Sequence, residues 1–258
     1  MGEIRVGVSG WTYPPWRGDF YPKGLVQREE LAYAASRLTS IEINGSFYAL
    51  QKPTSYQKWR DETPEDFVFS VKGSRFITHM KRLADCAEAL ETFFGSGVHE
   101  LGHKLGPLLW QLPENFRYDG ERLASFFGLL PRSTPDGRPV RHALEFRSQT
   151  FAQQETYDLL REHDVACVLA DTAGRWPKVD EDTADFRYVR LHGDKELYAS
   201  GYGPKALDEW AARVSGWATT KDVFVYFDND AKGYAPHDAM QLIKRLKKHP
   251  EPAVPRRR

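Results

Sequence analysis

Asp222–Asp230, with the sequence DVFVYFDND, joins an uncharged run of β-branched and aromatic residues to an acidic end. The run from Val223 to Phe227 is short and continuous, which is typical of a parallel strand buried on both faces. It stops abruptly at the polar triplet 228–230. A buried strand that ends in ionisable or amide side chains is the unit from which we predict the fold.

Seven further apolar runs end in the same way. They are Val6–Ser9, Ile41–Asn44, Val68–Lys72, Leu108–Gln111, Ala143–Arg147, Val168–Asp171 and Tyr188–His192. Predicted helices separate the runs, at Val26–Leu38, from Pro53 onward, near Leu83–Phe94, from Asp119 to about Leu129, at Gln153–Glu162, from about Lys205 to Trp217 and at about His237–Lys247. This alternation favours a parallel sheet covered by helices, and eight such units in about 250 residues predict an α/β protein with a (β/α)8 TIM-barrel fold.

We expect a single TIM-barrel domain over residues 1–249, followed by a disordered, basic and proline-rich tail over residues 250–258. One connection should be irregular. The segment from Asp171 to His192 is too short for a loop, a full helix and a strand, so little regular helix is expected between the sixth and seventh strands.

The composition excludes several classes of protein. The chain of 258 residues is 41% apolar, which is enough for a sizeable core, and its 36 basic and 36 acidic residues cancel. No global field therefore attracts nucleic acid or an anionic membrane. Cys86 and Cys167 lie within predicted elements and do not indicate a disulfide framework, and neither a signal peptide nor a membrane span is apparent. These features predict a cytoplasmic protein with no membrane partner.

The carboxyl ends of barrel strands converge on one mouth, where active sites of this fold lie. Polar side chains end all eight predicted strands, and each one alone could form a structural ion pair. Together they favour a site, because gathering several charges in one cavity is unfavourable for stability alone. The catalytic candidates are Glu42, Glu145, Asp171, His192 and Asp228. The candidates for substrate binding are Trp11, Asn44, Lys72, Arg75, His79, Arg82, Gln111, Arg147, Arg190 and Asn229.

Two loops at the predicted mouth suggest what could bind there. The segment from Lys72 to Ala84 carries five basic side chains and no acid, which indicates an anion, phosphate in particular. The first loop, Gly10–Pro22, is rich in aromatic rings and prolines. Its rings could stack on a sugar or a base, or could simply pack as a lid over the barrel.

His99–His103 spells HExxH, a pattern typical of zinc proteases. That motif needs a regular helix so that both imidazoles share a face. Glycines surround the segment and it precedes the fourth strand, at the end of the barrel opposite the expected site. We interpret the pattern as coincidence.

The chain resembles the DUF72 family, the YecE-like proteins of unknown function. The similarity rests on GVSGWTYPPWRGDFYP at 7–22, EINGSFY at 42–48, FVFSVKGSRFITHMKRL ending at 83, LGPLLWQLPENF at 105–116, ALEFR at 143–147, YVRLHGDKELY at 188–198 and YFDNDAKGYAPHDA at 226–239. The resemblance implies a TIM barrel and no particular activity. After the Glu-x-Arg of the fifth strand the family commonly has a His and a Ser-Trp pair, whereas this chain has Ser148 to Phe151.

Three hypotheses remain open from the sequence. The first is a hydrolase of a phosphate-containing substrate, including a phosphodiester or nucleic acid, in which the acidic candidates and His192 bind a divalent metal or act as base while the basic candidates neutralise phosphate. The second is metal-free carbohydrate chemistry by Glu145 with Glu42 or Asp171, and Trp11 and Trp16 as a sugar platform. The third is a non-catalytic barrel that binds a small anion, such as a sugar phosphate, or a nucleic-acid end.

Overall fold

The computed structural model describes residues 1–247. In this range parallel strands alternate with helices. The strands are β1 Ile4–Ser9, β2 Ser40–Ile43, β3 Val68–Lys72, β4 Leu105–Gln111, β5 His142–Glu145, β6 Val165–Cys167, β7 Leu169–Asp171, β8 Phe186–Leu191 and β9 Asp222–Phe227. The helices are α1 Glu30–Ala35, α2 Gly45–Tyr48, α3 Pro53–Asp61, α4 Ala87–Gly95, α5 Gly120–Leu129, α6 Gln154–Glu162, α7 Pro204–Trp217 and α8 Tyr234–Leu246. The predicted tail, residues 250–258, lies outside the described residues.

The strands form one sheet that curls into a TIM-type barrel. Their order is β6-β5-β4-β3-β2-β1-β9-β8-β7, and every neighbouring pair is parallel. The two ends of the sheet, β6 and β7, are separated only by Val168. The predicted sixth strand is therefore interrupted: its first part pairs with β5 and its second part with β8. This change of partner brings the ends of the sheet together.

The barrel interior is filled by side chains that alternate along the strands. Phe186, Tyr188, Phe224 and Tyr226 belong to an apolar cluster that is separate from the larger layer between sheet and helices. The buried Tyr226 hydroxyl lies 2.7 Å from the hydroxyls of both Ser40 and Ser70, so its polar atom is satisfied inside the barrel. Two residues beyond Tyr188 and Tyr226, the same inward faces carry Arg190 and Asp228.

The predicted elements are confirmed, with shifts at their ends. The predicted runs Val6–Ser9 and Tyr188–His192 correspond to β1 and β8, and Asp119 caps α5 by accepting a hydrogen bond from the backbone of Arg122 at 3.1 Å. The predicted helix Val26–Leu38 is shorter, because a 3-10 turn at Gln27–Glu29 precedes α1. The predicted helix Leu83–Phe94 starts only at Ala87, after a π-helical turn at Phe76–Met80. No helix forms between β7 and β8, as expected.

Two sequence features have structural explanations. The HExxH segment lies in an irregular 3-10 region, Val98–Lys104, in which Gly102 has a φ of 63° and interrupts the helix. The two imidazoles diverge, since His99 stacks on Phe94 while His103 lies 3.2 Å from the carbonyl oxygen of Glu65. In the first loop Trp16, Phe20 and Tyr21 are buried. These three rings pack against one another, and Phe20 and Tyr21 also pack against Tyr33 of α1. No helix in the described range is long and apolar enough to cross a bilayer.

Candidate functional site

Arg190, the fifth residue of β8, is the centre of the barrel mouth and is fully buried. Its Nη1 donates to Oε2 of Glu145 at 2.7 Å, and its Nη2 donates to Oδ2 of Asp228 at 2.9 Å. Glu42 receives two bonds from the same guanidinium, from Nε at 3.1 Å and from Nη2 at 2.9 Å. Nη2 also lies 2.9 Å from Oγ of Ser9. One side chain thus connects residues from β1, β2, β5 and the end of β9.

The other hydrogen bonds of Glu42 come from inside the barrel. The Tyr188 hydroxyl donates to its Oε2 at 2.7 Å, and the Ser9 hydroxyl donates to its Oε1. The strand register explains this meeting, because Ser9 pairs with Glu42 in the β1–β2 ladder. Each oxygen of the buried carboxylate therefore has two donors, as a buried charge requires.

The electrostatics of the mouth follow from these pairings. Burial opposes the charged guanidinium, but three carboxylates more than offset it and hold the pKa of Arg190 well above its usual value. Burial would also raise the pKa of Glu145, but Arg190 and Arg147 hold it well below its ordinary range. Burial is likewise outweighed at Asp228, where Arg190 and His192 lower the pKa to about 2. Both carboxyls are ionised at neutral pH.

His192 lies beside this cluster with its ring fully buried. Its Nε2 is 3.4 Å from Nη1 of Arg190, where it can only accept, because the guanidinium has no acceptor. Its Nδ1 is 3.1 Å from Oδ2 of Asp228, a hydrogen-bond distance at an angle outside the usual range. The ring therefore faces Arg190 through Nε2 and Asp228 through Nδ1.

Asp230 is a site residue that the sequence interpretation missed. It follows Asp228 by two residues and is nearly buried, and neither carboxyl oxygen has a hydrogen-bond partner among the described residues. The nearby Tyr13 hydroxyl donates instead to the backbone oxygen of Ser9 at 2.5 Å. Burial and the charge of Asp228 raise the pKa of Asp230 well above its ordinary value. Burial therefore favours the protonated form of Asp230, whereas the ion pairs of Glu145 and Asp228 favour their ionised forms.

Basic side chains gather on the β3–β5 side of the mouth, around His79. Burial and the charges of these neighbours lower the pKa of His79 to about 4. We call this group the cationic sector; in decreasing order of effect on His79, it comprises Lys72, Arg147, Arg75 and Arg82. The sector confirms that the basic loop after β3 lies at the mouth.

Arg147 connects the sector with the Arg190 cluster. Its Nε donates to Oε1 of Glu145 at 2.9 Å, and its guanidinium lies 3.7 Å above the ring of Trp176. Nη2 reaches the Tyr198 hydroxyl at 3.4 Å. The stacked, bonded guanidinium is held in one orientation. Trp176 and Tyr198 were not among the predicted residues, because they lie in loops far along the chain from β5.

Two predicted residues, Asp171 and Asn229, lie away from the cluster. Asp171 accepts from Nζ of Lys178 at 2.8 Å and from the Tyr202 hydroxyl at 3.2 Å. Nδ2 of Asn229 donates to the backbone oxygen of Ser200 and to Asp238, both at 2.9 Å. Both residues are one position out of phase with the inward faces of their strands. Their side chains therefore form hydrogen bonds outside the barrel interior.

The remaining predicted binding residues lie at the periphery of the mouth. Nδ2 of Asn44 donates to Oγ of Ser9 at 3.1 Å, and Nε2 of Gln111 donates to the backbone oxygen of Leu112 at 2.7 Å. The Arg82 guanidinium donates to the backbone oxygen of Asn115 at 2.9 Å and to the side-chain oxygen of Asn115 at 3.2 Å. Trp11 packs edge-on against Trp59 with their ring centroids 5.2 Å apart.

A cavity of about 290 Å³ lies beside the ends of β1 and β2. Trp11, Tyr13, Tyr48 and Trp59 give it an aromatic lining, and Asn44 provides a polar edge. The carbonyl oxygen of the Asn44 side chain is buried and has no hydrogen-bond partner among the described residues. Such a cavity suits a ring that also offers a donor.

The acidic side chains and His192 of the mouth are the groups that could bind a divalent metal. Among residues 1–247, no group of three or more His, Cys, Asp or Glu side chains is arranged to hold a metal ion. The reason is local, since the three ionised carboxylates turn their oxygens to Arg190. The residues of the mouth therefore do not fit a metal, and no step is assigned to one.

Comparisons with known proteins agree with this architecture. A family model described as "Protein of unknown function DUF72" matches residues 5–258. The UPF0759 protein YunF of Bacillus subtilis is 26% identical, over 94% of each chain, and the UPF0759 protein YecE of Escherichia coli K12 is 26% identical over 98% of this chain and 97% of its own. A DUF72 family protein from Thermotoga maritima has a crystal structure with a TM-score of 0.81 and 26% identity, over 95% of this chain and 99% of its own.

Proposed function

The chain belongs to the DUF72 family, and we propose that the mouth of its barrel is the active site of an enzyme for a small molecule that carries a phosphate group. The cationic sector is the observation that carries the proposal. Burial and the charges of these four basic side chains lower the pKa of His79, so the sector is a source of positive charge at the mouth. An anion entering the mouth would supply the missing negative charge.

The carboxylates of the mouth neutralise this sector only in part. Glu42 and Asp228 pair with Arg190, and Glu145 is shared between Arg190 and Arg147. Lys72 and Arg75 have no ion pair with any residue in the described range. Arg147 is stacked and oriented, and its Nη1 donates to no residue among 1–247, so one edge of a planar guanidinium fork remains for an oxyanion.

Asp230 would supply the proton in such a site. A carboxyl whose pKa is raised by burial is suited to act as a general acid, while Asp228 beside it, with a lowered pKa, is not. Glu145, the acid considered for carbohydrate chemistry, is bound by two guanidiniums and has a lowered pKa. The pairing disfavours that role. Since no metal site is formed either, we propose that the phosphate anchors the substrate and that the reaction occurs next to it.

Calorimetric titration with inorganic phosphate tests the anchor. We expect a dissociation constant on the order of 1 mM, which is about −4 kcal/mol, with affinity decreasing as salt is added. Arg147→Gln removes the charge but keeps an amide, and should weaken binding roughly tenfold or more. The control Lys205→Ala also removes one positive charge, from a side chain that is 92% exposed on α7, and should leave binding unchanged.

The proposal is wrong if the wild type binds no phosphate at about ten times that concentration. It is also wrong if Arg147→Gln and Lys205→Ala weaken binding equally, because attraction would then come from net charge alone. Circular dichroism of each variant shows whether the fold is retained.

A further inference from the structure

We propose that Lys72 is the nucleophile of the mouth and forms an imine with an aldehyde or ketone carbon of the substrate. This inference rests on the proposed function, since the phosphate would hold the carbonyl in place. Lys72 is the last residue of β3 and lies on the same inward face as Ser70, whose hydroxyl contacts Tyr226. Its side chain therefore points along the barrel axis into the mouth.

The surroundings of the Lys72 amine are unusual for a buried lysine. The residue is 8% exposed, and Nζ lies 4.3 Å from the ring centroid of Phe47. No hydrogen bond or ion pair joins Nζ to any residue among 1–247. Buried ammonium groups are normally paired, because an unpaired charge away from water is unfavourable. Nζ of Lys72 has no counter-charge within ion-pair distance in this range, which favours the neutral amine, the form that attacks a carbonyl.

Lys104 is an internal comparison. It is even less exposed, at 3%, but its Nζ donates to the backbone oxygens of Arg60 at 2.6 Å and Thr63 at 2.8 Å. Those bonds hold the ammonium and account for a structural lysine. The same chain thus contains one buried lysine with partners and one without, and only the second lies at the mouth.

The electrostatics agree with this geometry. Burial and the positive charge of Arg190 lower the pKa of Lys72 to about 8. The negative charges of Glu42, Glu145 and Asp228 oppose the shift without cancelling it. At about pH 7.5 the neutral fraction of such an amine exceeds that of an ordinary lysine by about 100-fold.

The backbone fixes the position from which Lys72 acts. The Ser46 hydroxyl donates to the backbone oxygen of Lys72 at 2.6 Å, and the next amide, of Gly73, donates to the backbone oxygen of Leu109 at 2.8 Å. The peptide group that follows Lys72 is thus held at both its oxygen and its nitrogen, and this fixes the strand end that carries the nucleophile.

The step is balanced without an oxidant or reductant. The lone pair of Nζ forms a bond to the carbonyl carbon, and the carbonyl oxygen takes a proton to give a carbinolamine. Both protons of the amine end on this oxygen, the first as the carbinolamine forms and the second as its hydroxyl leaves as water. Amine and carbonyl are thereby converted into imine and water, and hydrolysis reverses the step.

Reductive trapping tests the inference. The intact protein is incubated at about pH 7.5 with dihydroxyacetone phosphate and cyanoborohydride, which reduces imines to stable amines, and peptide mapping by mass spectrometry locates the adduct. We expect labelling of Lys72 about 100-fold faster than of the exposed Lys205, given the neutral fraction of an ordinary lysine, and faster than of Lys104, whose amine is held by hydrogen bonds. Lys72→Arg should abolish the fast label, and Lys205→Arg should not. Thermal unfolding of both variants verifies that they fold.

The outcomes separate the two proposals. Labelling spread over the exposed lysines, with Lys72 no faster, overturns the imine while phosphate binding by calorimetry can still hold. Equal rates at Lys72 with dihydroxyacetone and its phosphate support the nucleophile and refute the phosphate anchor. Fast labelling that requires the phosphate and is slowed by Arg147→Gln supports both.

Discussion

Replacing Arg190 by Met would remove the guanidinium that forms ion pairs with Glu42, Glu145 and Asp228. It would leave these carboxylates buried with like charges around them. Breaking a single buried pair destabilises a protein by about 3–5 kcal/mol. Because three partners lose the same cation, we expect a loss of at least about 5 kcal/mol in the free energy of unfolding at neutral pH, which is a large part of the roughly 5–15 kcal/mol typical of a domain.

The loss should depend on pH in a defined direction. In the wild type, arginine neighbours lower the folded-state pKa of Glu145 and Asp228, so their contribution is present above the unfolded pKa near 4 and disappears as pH falls through the lower folded values. In the variant the folded-state pKa values of the same carboxyls should rise, because burial and mutual repulsion remain. The variant then gains relative stability as they take up protons, and the difference between the proteins shrinks between about pH 7 and pH 5.

Urea unfolding followed by tryptophan fluorescence measures both effects. Arg175→Met is the matched control, because its ion pair with Glu114 is more than half exposed and should contribute less than about 1 kcal/mol. If Arg190→Met does not fold alone, adding Glu145→Gln should recover stability, since one buried charge is removed. A loss below about 1 kcal/mol, or an equal loss at both pH values, would refute the cluster energetics.

Three further predictions concern single positions. Asp230→Asn should leave the unfolding free energy nearly unchanged at about pH 4 and should make the protein more stable than the wild type as pH rises toward neutral, because the folded wild type keeps a proton that the unfolded chain releases. Urea titrations across pH check this, and a variant that is less stable than the wild type at neutral pH contradicts it. Gly73→Ala should destabilise the protein by at least about 1–3 kcal/mol, since the added Cβ would lie 2.3 Å from the Trp110 ring. Gly128→Ala has open space around the added Cβ in α5 and should stabilise the protein by roughly 0.5–1 kcal/mol. Thermal unfolding compares the two variants, and equal effects would show that the contact between Gly73 and Trp110 is loose. In NMR titrations the pKa of His79 should lie at about 4 and should rise when inorganic phosphate is added or when Arg147 is replaced by Gln; an unchanged value in both cases excludes a shared cationic sector.

The barrel could be predicted from sequence because its strands are apolar, short and regularly spaced. The facing of their last residues was harder to predict. Arg190 and Asp228 continue the inward faces of Tyr188 and Tyr226, whereas Asp171 and Asn229 are one residue out of phase and turn outward. A strict two-residue count from the interior tyrosines would have separated the two groups.

Other features depend on tertiary structure that a single sequence does not encode locally. The interruption at Val168 arises because the sixth strand must change partners where the sheet closes. Asp230 follows a strand in a triplet that resembles an ordinary turn, and only its burial next to Asp228 distinguishes it. The Lys72 amine likewise has no ion-pair partner among residues 1–247 because the three carboxylates face Arg190, which the sequence alone does not indicate.

The hydrogen bonds of Arg190 also constrain the order in which parts of the protein can fold. Its partners Ser9 and Glu42 lie 181 and 148 positions away along the chain, so the mouth belongs to the slow, non-local part of folding. During synthesis the first five strands emerge with Glu42 and Glu145 but without their counter-charge, which arrives only with β8. An amino-terminal fragment that stops before β8 can therefore form neighbouring strands but cannot assemble the mouth. Any activity of the mouth requires the complete barrel.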